Sequence, residues 1–330
     1  MKTDINLPLV LVTHTLPGGW LDNLEGKCLT FIGPVDATGL SPELKAHLNE
    51  ADGILSLLTI PVNEDLLAQA PRLRAVSNMA VGVDNIDLAA CTRRGIPVGH
   101  TPGVLTEGTA DLTMAILLAA ARCLPQASQD AREGRWKTWS PTGWLGADLH
   151  GANLGIVGMG KIGRAVARRA IAFGMRLLYT DSLPCADAES DMGAVCLTLD
   201  ELLRHSDIVS LHIPLNAETR HLIDEQALRK MKPTAILVNT SRGPVVDTPA
   251  LVRALQEGWI AGAAIDVTDP EPLSPEHPLF SLSNCLITPH IGSATWNTRR
   301  RMAELACDNL LAALSDQPMP FCANPEVYQI

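Results

Sequence analysis

The chain has no excess of positive charge. Its 330 residues carry 26 Lys and Arg against 36 Asp and Glu, which gives a formal net charge of -10 at pH 7. Nucleic acids and anionic membrane surfaces both attract basic faces, so neither is expected as the main partner. Two local basic clusters, Arg168–Arg169 and Arg299–Arg301, fall in helical patterns and are interpreted as solvated helix faces.

Paired cysteines and long apolar runs are also missing. The 8 cysteines are scattered, with no Cys-x-x-Cys and no paired histidines, so neither a zinc site nor a disulfide framework is expected. Free thiols favour the reducing cytoplasm. The apolar core of the first segment is shorter than a signal peptide needs, and the run from Met114 is too short to span a bilayer. We therefore predict a cytoplasmic protein with no metal and no membrane role.

The length and the periodicity of the chain predict a two-domain α/β protein. Hydrophobic residues make up 46% and charged residues 19%, as in globular proteins. Short β-rich runs alternate with helical patterns and lack a clean polar alternation, as expected of parallel sheets covered on both faces. The first series has the runs LVLVTH, LTFIG, ILSLLT and RAVSNMA. The second has LGIVGMG, RLLYTD, AVCLT, DIVSLHIP, AILVNTS, AGAAIDV and CLITPH.

The first series is only a partial unit, so the final helix, WNTRRRMAELACDNLLAALS, is expected to return and cover it. We predict a discontinuous first domain of residues 1-102 and 291-330. Residues 103-290 would form the second domain, beginning with a helix over about 109–122. The extended segment at about 123-150 holds Trp136, Trp139 and Trp144, which favours a contact between subunits.

A glycine motif predicts the cofactor site. In GIVGMGKIG, Gly158, Gly160 and Gly163 follow a β-rich run and open a helical one, which is the context of a dinucleotide turn. The next strand ends in Asp181, where a carboxylate would accept hydrogen bonds from the ribose hydroxyls and repel a 2'-phosphate. NAD(H) is therefore preferred, with NADP(H) as the second option. The other expected cofactor contacts are Lys161, Ile162, Ser182, Pro214, Thr240, Asp266 and Gly292.

Three later strand ends carry groups suited to hydride chemistry, and in parallel sheets such ends face one crevice. Arg242 can hold a substrate carboxylate with its two-pronged guanidinium. His290 can protonate a carbonyl oxygen while hydride arrives at the carbon. Glu271 suits the role of imidazole partner better than Asp266, which is nearer the expected nicotinamide. For each residue considered alone a competing interpretation remains: a salt bridge for Arg242, a solvated turn acid for Glu271, and a hydrogen-bonding loop residue for His290.

These motifs resemble those of the D-2-hydroxyacid dehydrogenases over nearly the whole chain. GIVGMGKIG, NTSRGPVVD, DVTDPEPL and PHIGSAT occur in the order and spacing of that family. Within it, EGRWKTW, LITPHIGSAT and QPMP are most similar to glyoxylate/hydroxypyruvate reductases. The animal members of that group prefer NADPH and have a basic strand end, whereas this chain has Asp181–Ser182.

The resemblance implies two doubly wound parallel-sheet domains with an interdomain cleft. Residues 1-102 and 291-330 would form the flavodoxin-like substrate-binding domain, and residues 103-290 the Rossmann dinucleotide-binding domain. It implies His290 as acid/base, Glu271 as its partner and Arg242 as substrate anchor. It further implies that the backbone N–H groups of Val81 and Gly82 bind the substrate carboxylate. Trp139 looks like the residue that enters the neighbouring active site, which implies a homodimer.

The expected activity is reduction of small 2-oxo acids, glyoxylate to glycolate and hydroxypyruvate to D-glycerate. Leu57, Leu58 and Trp139 would set side-chain selectivity. Two alternatives stay open: another D-2-hydroxyacid or phosphite substrate on the same site, and an NAD-sensing, corepressor-like binding protein. Phosphite-oxidising relatives have a lysine where this chain has Val81, and the corepressors have long tails that do not follow the last helix here.

Overall fold

The computed structural model describes residues 7–329 and divides the chain into two compact units. One unit takes in the residues up to Leu105 and from Thr295 onwards, and the other is Thr106–Ala294. The divisions fall a few residues after those expected at 102/103 and 290/291. Residues 1–6 and 330 of the predicted first domain lie outside the described residues.

Within the described part of the first unit, the sheet has five parallel strands in the order β2-β1-β3-β4-β5. Its strands are β1 (Leu9–Val12), β2 (Leu29–Ile32), β3 (Gly53–Ser56), β4 (Ala75–Asn78) and β5 (Val98–Gly99). This is the flavodoxin-like doubly wound order that was predicted. β5 was missed because two residues make no recognisable β-rich run.

Three short helices follow strands of this sheet. They are α1 (Pro42–Ala46), α2 (Glu64–Gln69) and α3 (Leu88–Arg93). Each begins after a polar residue whose side chain accepts a backbone N–H of the first turn: Ser41, Asn63 and Asp87 respectively. Such caps satisfy amides that a helix N-terminus otherwise leaves unpaired.

The second unit contains, within residues 7–329, a seven-stranded parallel sheet in the order β12-β11-β10-β9-β6-β7-β8. Its strands are β6 (Asn153–Val157), β7 (Arg176–Thr180), β8 (Val195–Cys196), β9 (Ile208–Leu211), β10 (Ile236–Asn239), β11 (Gly262–Ile265) and β12 (Cys285–Ile287). All seven coincide with the predicted runs. The strand order changes direction between β6 and β9, and ligands of doubly wound sheets bind outside the carboxyl ends at such a switch point.

Seven helices of the described chain surround this sheet. They are α4 (Thr106–Ala121), α5 (Leu124–Arg132), α6 (Lys161–Ala172), α7 (Ala186–Met192), α8 (Leu199–His205), α9 (Glu225–Lys230) and α10 (Thr248–Gln256). The prediction of an extended segment from residue 123 was wrong at its start, where α5 forms. Pro125 is compatible with a first helical turn, where its missing N–H is not needed. Residues 133–150 contain neither helix nor strand.

The last long helix, α11 (Trp296–Leu314), belongs to the first unit, as predicted. Its apolar face, with Met302, Ala306 and Leu310, shares a buried core with Val10 and Leu55 of the sheet. Five 3-10 turns complete the described elements: Asp22–Leu24, Leu48–Glu50, Gly243–Val245, Pro278–Ser281 and Pro325–Gln329. Across residues 7–329 no single helix is long and apolar enough to cross a membrane, although the bent pair α4 and α5 together meets that test by length and composition.

Candidate active site

A histidine–glutamate pair lies beyond the carboxyl ends of β11 and β12. Nδ1 of His290 donates a hydrogen bond to Oε1 of Glu271 over 2.6 Å. A carboxylate can only accept, so this bond places the hydrogen on Nδ1 and leaves Nε2 as the ring atom that can exchange a proton with a ligand. His290 is 28% exposed and Glu271 41%, so the pair is reachable from solvent.

The backbone around His290 is held by a buried carboxylate. Asp266, 2% exposed, accepts hydrogen bonds from the hydroxyl of Thr288 and the backbone N–H groups of Ile291 and Gly292. Its own carbonyl accepts the N–H of His290 at 2.8 Å. His290 has a φ of 52°, in the left-handed region that residues other than glycine rarely adopt. The Asp266 bonds therefore fix an otherwise unfavourable backbone conformation.

The surroundings of Glu271 favour the ionised form of its carboxyl group. Burial alone would raise the pKa of this carboxyl. The hydrogen bond and charge of His290, the N–H of Thr268 and the charge of Arg242 act in the opposite direction and leave its pKa lowered. The carboxylate can then stabilise a protonated imidazole.

Arg242 follows β10 in a loop that a buried asparagine closes. The Asn239 side chain, 1% exposed, accepts the N–H and hydroxyl of Ser241 and donates to the carbonyl of Arg242 at 2.9 Å. A Cβ on Gly243 would lie 1.9 Å from the carbonyl oxygen of Thr268, so this position excludes any side chain. That close approach brings the Arg242 loop against the loop that carries Glu271.

The glycine motif has the geometry of a dinucleotide turn. Gly158 has a φ of 96°, and a Cβ on Gly163 would lie 2.1 Å from the carbonyl oxygen of Gly158. A Cβ on Gly160 would meet nothing within 4 Å, so the surface beside it is open. Gly160 caps the 12-residue helix α6, whose first N–H groups suit a pyrophosphate. These features fit an NAD-type cofactor.

Asp181, at the end of β7, lies beside this turn. Its Oδ2 accepts the backbone N–H of Met159 at 2.7 Å, and its Oδ1 accepts the N–H and hydroxyl of Ser182. Asp181 and Ser182 are both exposed. A carboxylate fixed in this way next to the turn is placed to accept ribose hydroxyls.

The other predicted cofactor residues are spread along the same edge of the sheet. Lys161 and Pro214 are exposed, and Ile162 is half-buried at the start of α6. The hydroxyl of Thr240 lies 2.9 Å from that of Thr113 on α4. Gly292 is buried against Asp266 and Thr109, where its N–H is already used by Asp266.

In the first unit, Val81 and Gly82 lie in the loop after β4, and Leu57 and Leu58 lie in the loop after β3. All four are half-buried. Trp139, in the second unit, is 80% exposed within this chain.

Residues 114–292 match the family model for the NAD binding domain of D-isomer specific 2-hydroxyacid dehydrogenases. The chain belongs to the D-isomer specific 2-hydroxyacid dehydrogenases. It is 48% identical over 324 residues to the glyoxylate reductase of Korarchaeum cryptofilum, a match that covers 98% of each protein. These relations confirm the predicted family and its two α/β domains.

Solved structures of other proteins agree with this membership. The TT0316 protein from Thermus thermophilus is 47% identical, with a TM-score of 0.89 and coverage of 96% of this chain and 99% of that one. The NADPH-dependent glyoxylate/hydroxypyruvate reductase of Sinorhizobium meliloti, in complex with NADP and malonate, is 33% identical with a TM-score of 0.83. That match covers 96% of this chain and 97% of that one.

Two residues that shape the site of this dehydrogenase escaped sequence reasoning. Asn239 holds the Arg242 loop, and Thr288 joins Asp266 in fixing the His290 loop. The signal for Asn239 is an asparagine at the end of a buried strand followed by Thr, Ser, Arg and Gly, a pattern typical of a side-chain-closed turn. Thr288 carries no comparable local signal.

Proposed function

We propose that this dehydrogenase reduces small 2-oxo acids, glyoxylate to glycolate and hydroxypyruvate to D-glycerate, with NADH as the preferred cofactor. The observation that carries the proposal is the 2.6 Å His290–Glu271 pair at the carboxyl edge of a sheet whose glycine turn suits a dinucleotide. A proton donor beside a nicotinamide site is what reduction of a carbonyl requires.

Each residue has a distinct role in this proposal. The bound reduced nicotinamide supplies the hydride. His290 gives the proton from Nε2 to the substrate oxygen, and Glu271 stabilises the imidazolium and fixes the ring. Arg242 holds an oxygen of the substrate with its guanidinium. The N–H groups of Val81 and Gly82 bind the substrate carboxylate.

The preference for NADH rests on Asp181, whose carboxylate would repel a 2'-phosphate. NADPH is the second cofactor of the proposal, since the related Sinorhizobium meliloti enzyme is named as NADPH-dependent. The remaining contacts are assigned to Gly158, Gly160, Lys161, Ile162, Gly163, Ser182, Pro214, Thr240, Asp266 and Gly292.

The proposed active form is a cytoplasmic homodimer. The segment 133–147 exposes Trp136 (61%), Trp139 (80%) and Leu145 (71%), more apolar surface than a short loop ordinarily leaves in water. We assign this segment to the subunit contact and Trp139 to the substrate pocket of the neighbouring copy. All eight cysteines are unpaired, which suits a reducing compartment.

The test is NADH oxidation against glyoxylate, hydroxypyruvate, pyruvate and phenylpyruvate, repeated with NADPH. We expect the two smallest substrates to turn over with NADH. His290→Asn should lower kcat by about 10²- to 10⁴-fold, because it removes the general acid, and should leave the Kd for NADH unchanged. His205→Asn, at an exposed histidine ending α8, is the matched control with wild-type rates. Tight NADH binding without turnover of any 2-oxo acid would contradict the proposal.

A further inference from the structure

Two loops of the first unit are joined by a buried network of asparagine side chains. Asn78, at the end of β4, is fully buried and accepts the hydroxyl of Ser56 at 3.1 Å. Its Nδ2 donates to the carbonyl of Gly82 and to Oδ1 of Asn85, both at 3.0 Å. Nδ2 of Asn85 in turn donates to the carbonyls of Leu57 and Ile60, at 3.2 and 2.9 Å. The loops after β3 and β4 therefore share one set of hydrogen bonds.

Three consecutive carbonyl groups in the loop after β4 each accept a hydrogen bond. The carbonyl of Ala80 accepts the N–H of Thr101 at 2.8 Å, and that of Val81 accepts Nδ1 of His100 at 3.0 Å. The carbonyl of Gly82 accepts Asn78. Within residues 7–329 the structure gives the N–H groups of Val81 and Gly82 no acceptor. Amides without internal partners are available to an anion.

We propose that Asn78 and Asn85 are positioning residues for the substrate carboxylate. By holding the Gly82 carbonyl and the neighbouring loop, they orient the N–H groups of Val81 and Gly82 towards the ligand. The inference rests on the proposed function, in which those N–H groups bind the carboxylate. Neither asparagine touches the substrate.

The amide group is essential to this role because it donates and accepts at once. Asn78 uses its oxygen for Ser56 and both hydrogens for Gly82 and Asn85. A carboxylate at either position would face carbonyl oxygens without a hydrogen to share. An alanine would leave several buried groups unpaired and release the loop.

The test compares Asn78→Ala and Asn85→Ala with Asn324→Ala. Asn324 is also fully buried in the first unit, but its amide holds Val98, Ile96 and Thr92 rather than the substrate loop. It therefore controls for the general cost of losing a buried amide. The readouts are KM and kcat for glyoxylate, the inhibition constant of oxamate as a carboxylate probe, the Kd for NADH, and Tm.

We expect KM and the oxamate inhibition constant of both loop variants to rise by about 10- to 100-fold, because misplaced amides bind the carboxylate poorly. Since the proton donor lies in the other unit, kcat should stay within about threefold. The Kd for NADH should be unchanged. Asn324→Ala should lower Tm comparably and leave both constants at wild-type values.

Equal KM and inhibition constants in the loop variants and Asn324→Ala would overturn the positioning role. If Asn78→Ala does not fold, Asn85→Ser at the half-buried position decides by the same readouts. A wild-type enzyme that reduces no 2-oxo acid would contradict the proposed function instead. The two failures are therefore distinguishable.

Discussion

At the scale of single residues, the site depends on one histidine in an unfavourable backbone conformation. A left-handed φ at a residue other than glycine costs about 1–3 kcal/mol and persists only when the surroundings enforce it. Asp266 and Thr288 supply that enforcement at His290. Sequence reasoning named His290 and Glu271 from motif and chemistry. It could not predict the left-handed backbone, which depends on hydrogen bonds to Asp266, more than twenty positions away in the chain.

The lowered pKa of Glu271 gives a stability prediction with a definite sign. The folded chain binds the carboxyl proton less tightly than the unfolded chain, so the carboxylate's contribution is full above its ordinary pKa of 4.5 and is lost as pH falls. The Tm difference between wild type and Glu271→Gln should therefore shrink as pH falls below 4.5 towards the lowered pKa of Glu271. A difference that stays constant or widens below pH 4.5 would contradict the assigned ion pair.

Asp181 is predicted to set cofactor preference. Asp181→Ala should raise the NADPH to NADH ratio of kcat/KM by about tenfold or more, because the repulsion of the 2'-phosphate is removed. Asp187→Ala is the control, since Asp187 is an exposed acid of the neighbouring helix α7. An unchanged ratio in Asp181→Ala would mean that other residues select the cofactor.

At the scale of elements, sequence patterns predicted the strands of the second unit but not the short strand β5 or the helix α5. All seven strands of the second unit coincide with apolar runs, and β9, β10 and β11 are buried along their whole length, as strands covered on both faces should be. The sequence patterns did not predict β5 and α5, for two different reasons. β5 is too short to show a pattern and is recruited by pairing with β4. α5 is mostly polar and has no buried residue, so no strongly apolar face marks it.

The turn between β6 and α6 offers two glycines with different expected sensitivities. Gly163→Ala should destabilise the protein by about 1–3 kcal/mol, because its Cβ would clash with the Gly158 carbonyl. Gly160→Ala has room and should cost less than about 1 kcal/mol as a poorer helix cap, yet weaken NADH binding at the phosphates. Denaturant unfolding and NADH titration of both variants check this, and Gly18→Ala, which also has room, is the control. Equal losses of stability in Gly163→Ala and Gly160→Ala would contradict the predicted difference.

At the scale of the whole molecule, the exposed segment 133–147 predicts the oligomeric state. Leu145→Asp should convert the proposed homodimer to a monomer in light scattering, because it places a charge in the assigned contact. Leu183→Asp is the matched control, since Leu183 is 74% exposed against 71% for Leu145. A monomeric wild type, or a dimer unaffected by Leu145→Asp, would contradict the assignment.

The return of α11 to the first unit determines the order in which the protein can mature on the ribosome. The strands of the first unit are synthesised before the second unit. The core they share with Met302, Ala306 and Leu310 stays incomplete until α11 is synthesised. The second unit is encoded without interruption and can close its core earlier. The strands of the first unit are thus synthesised before those of the second unit but complete their core after them.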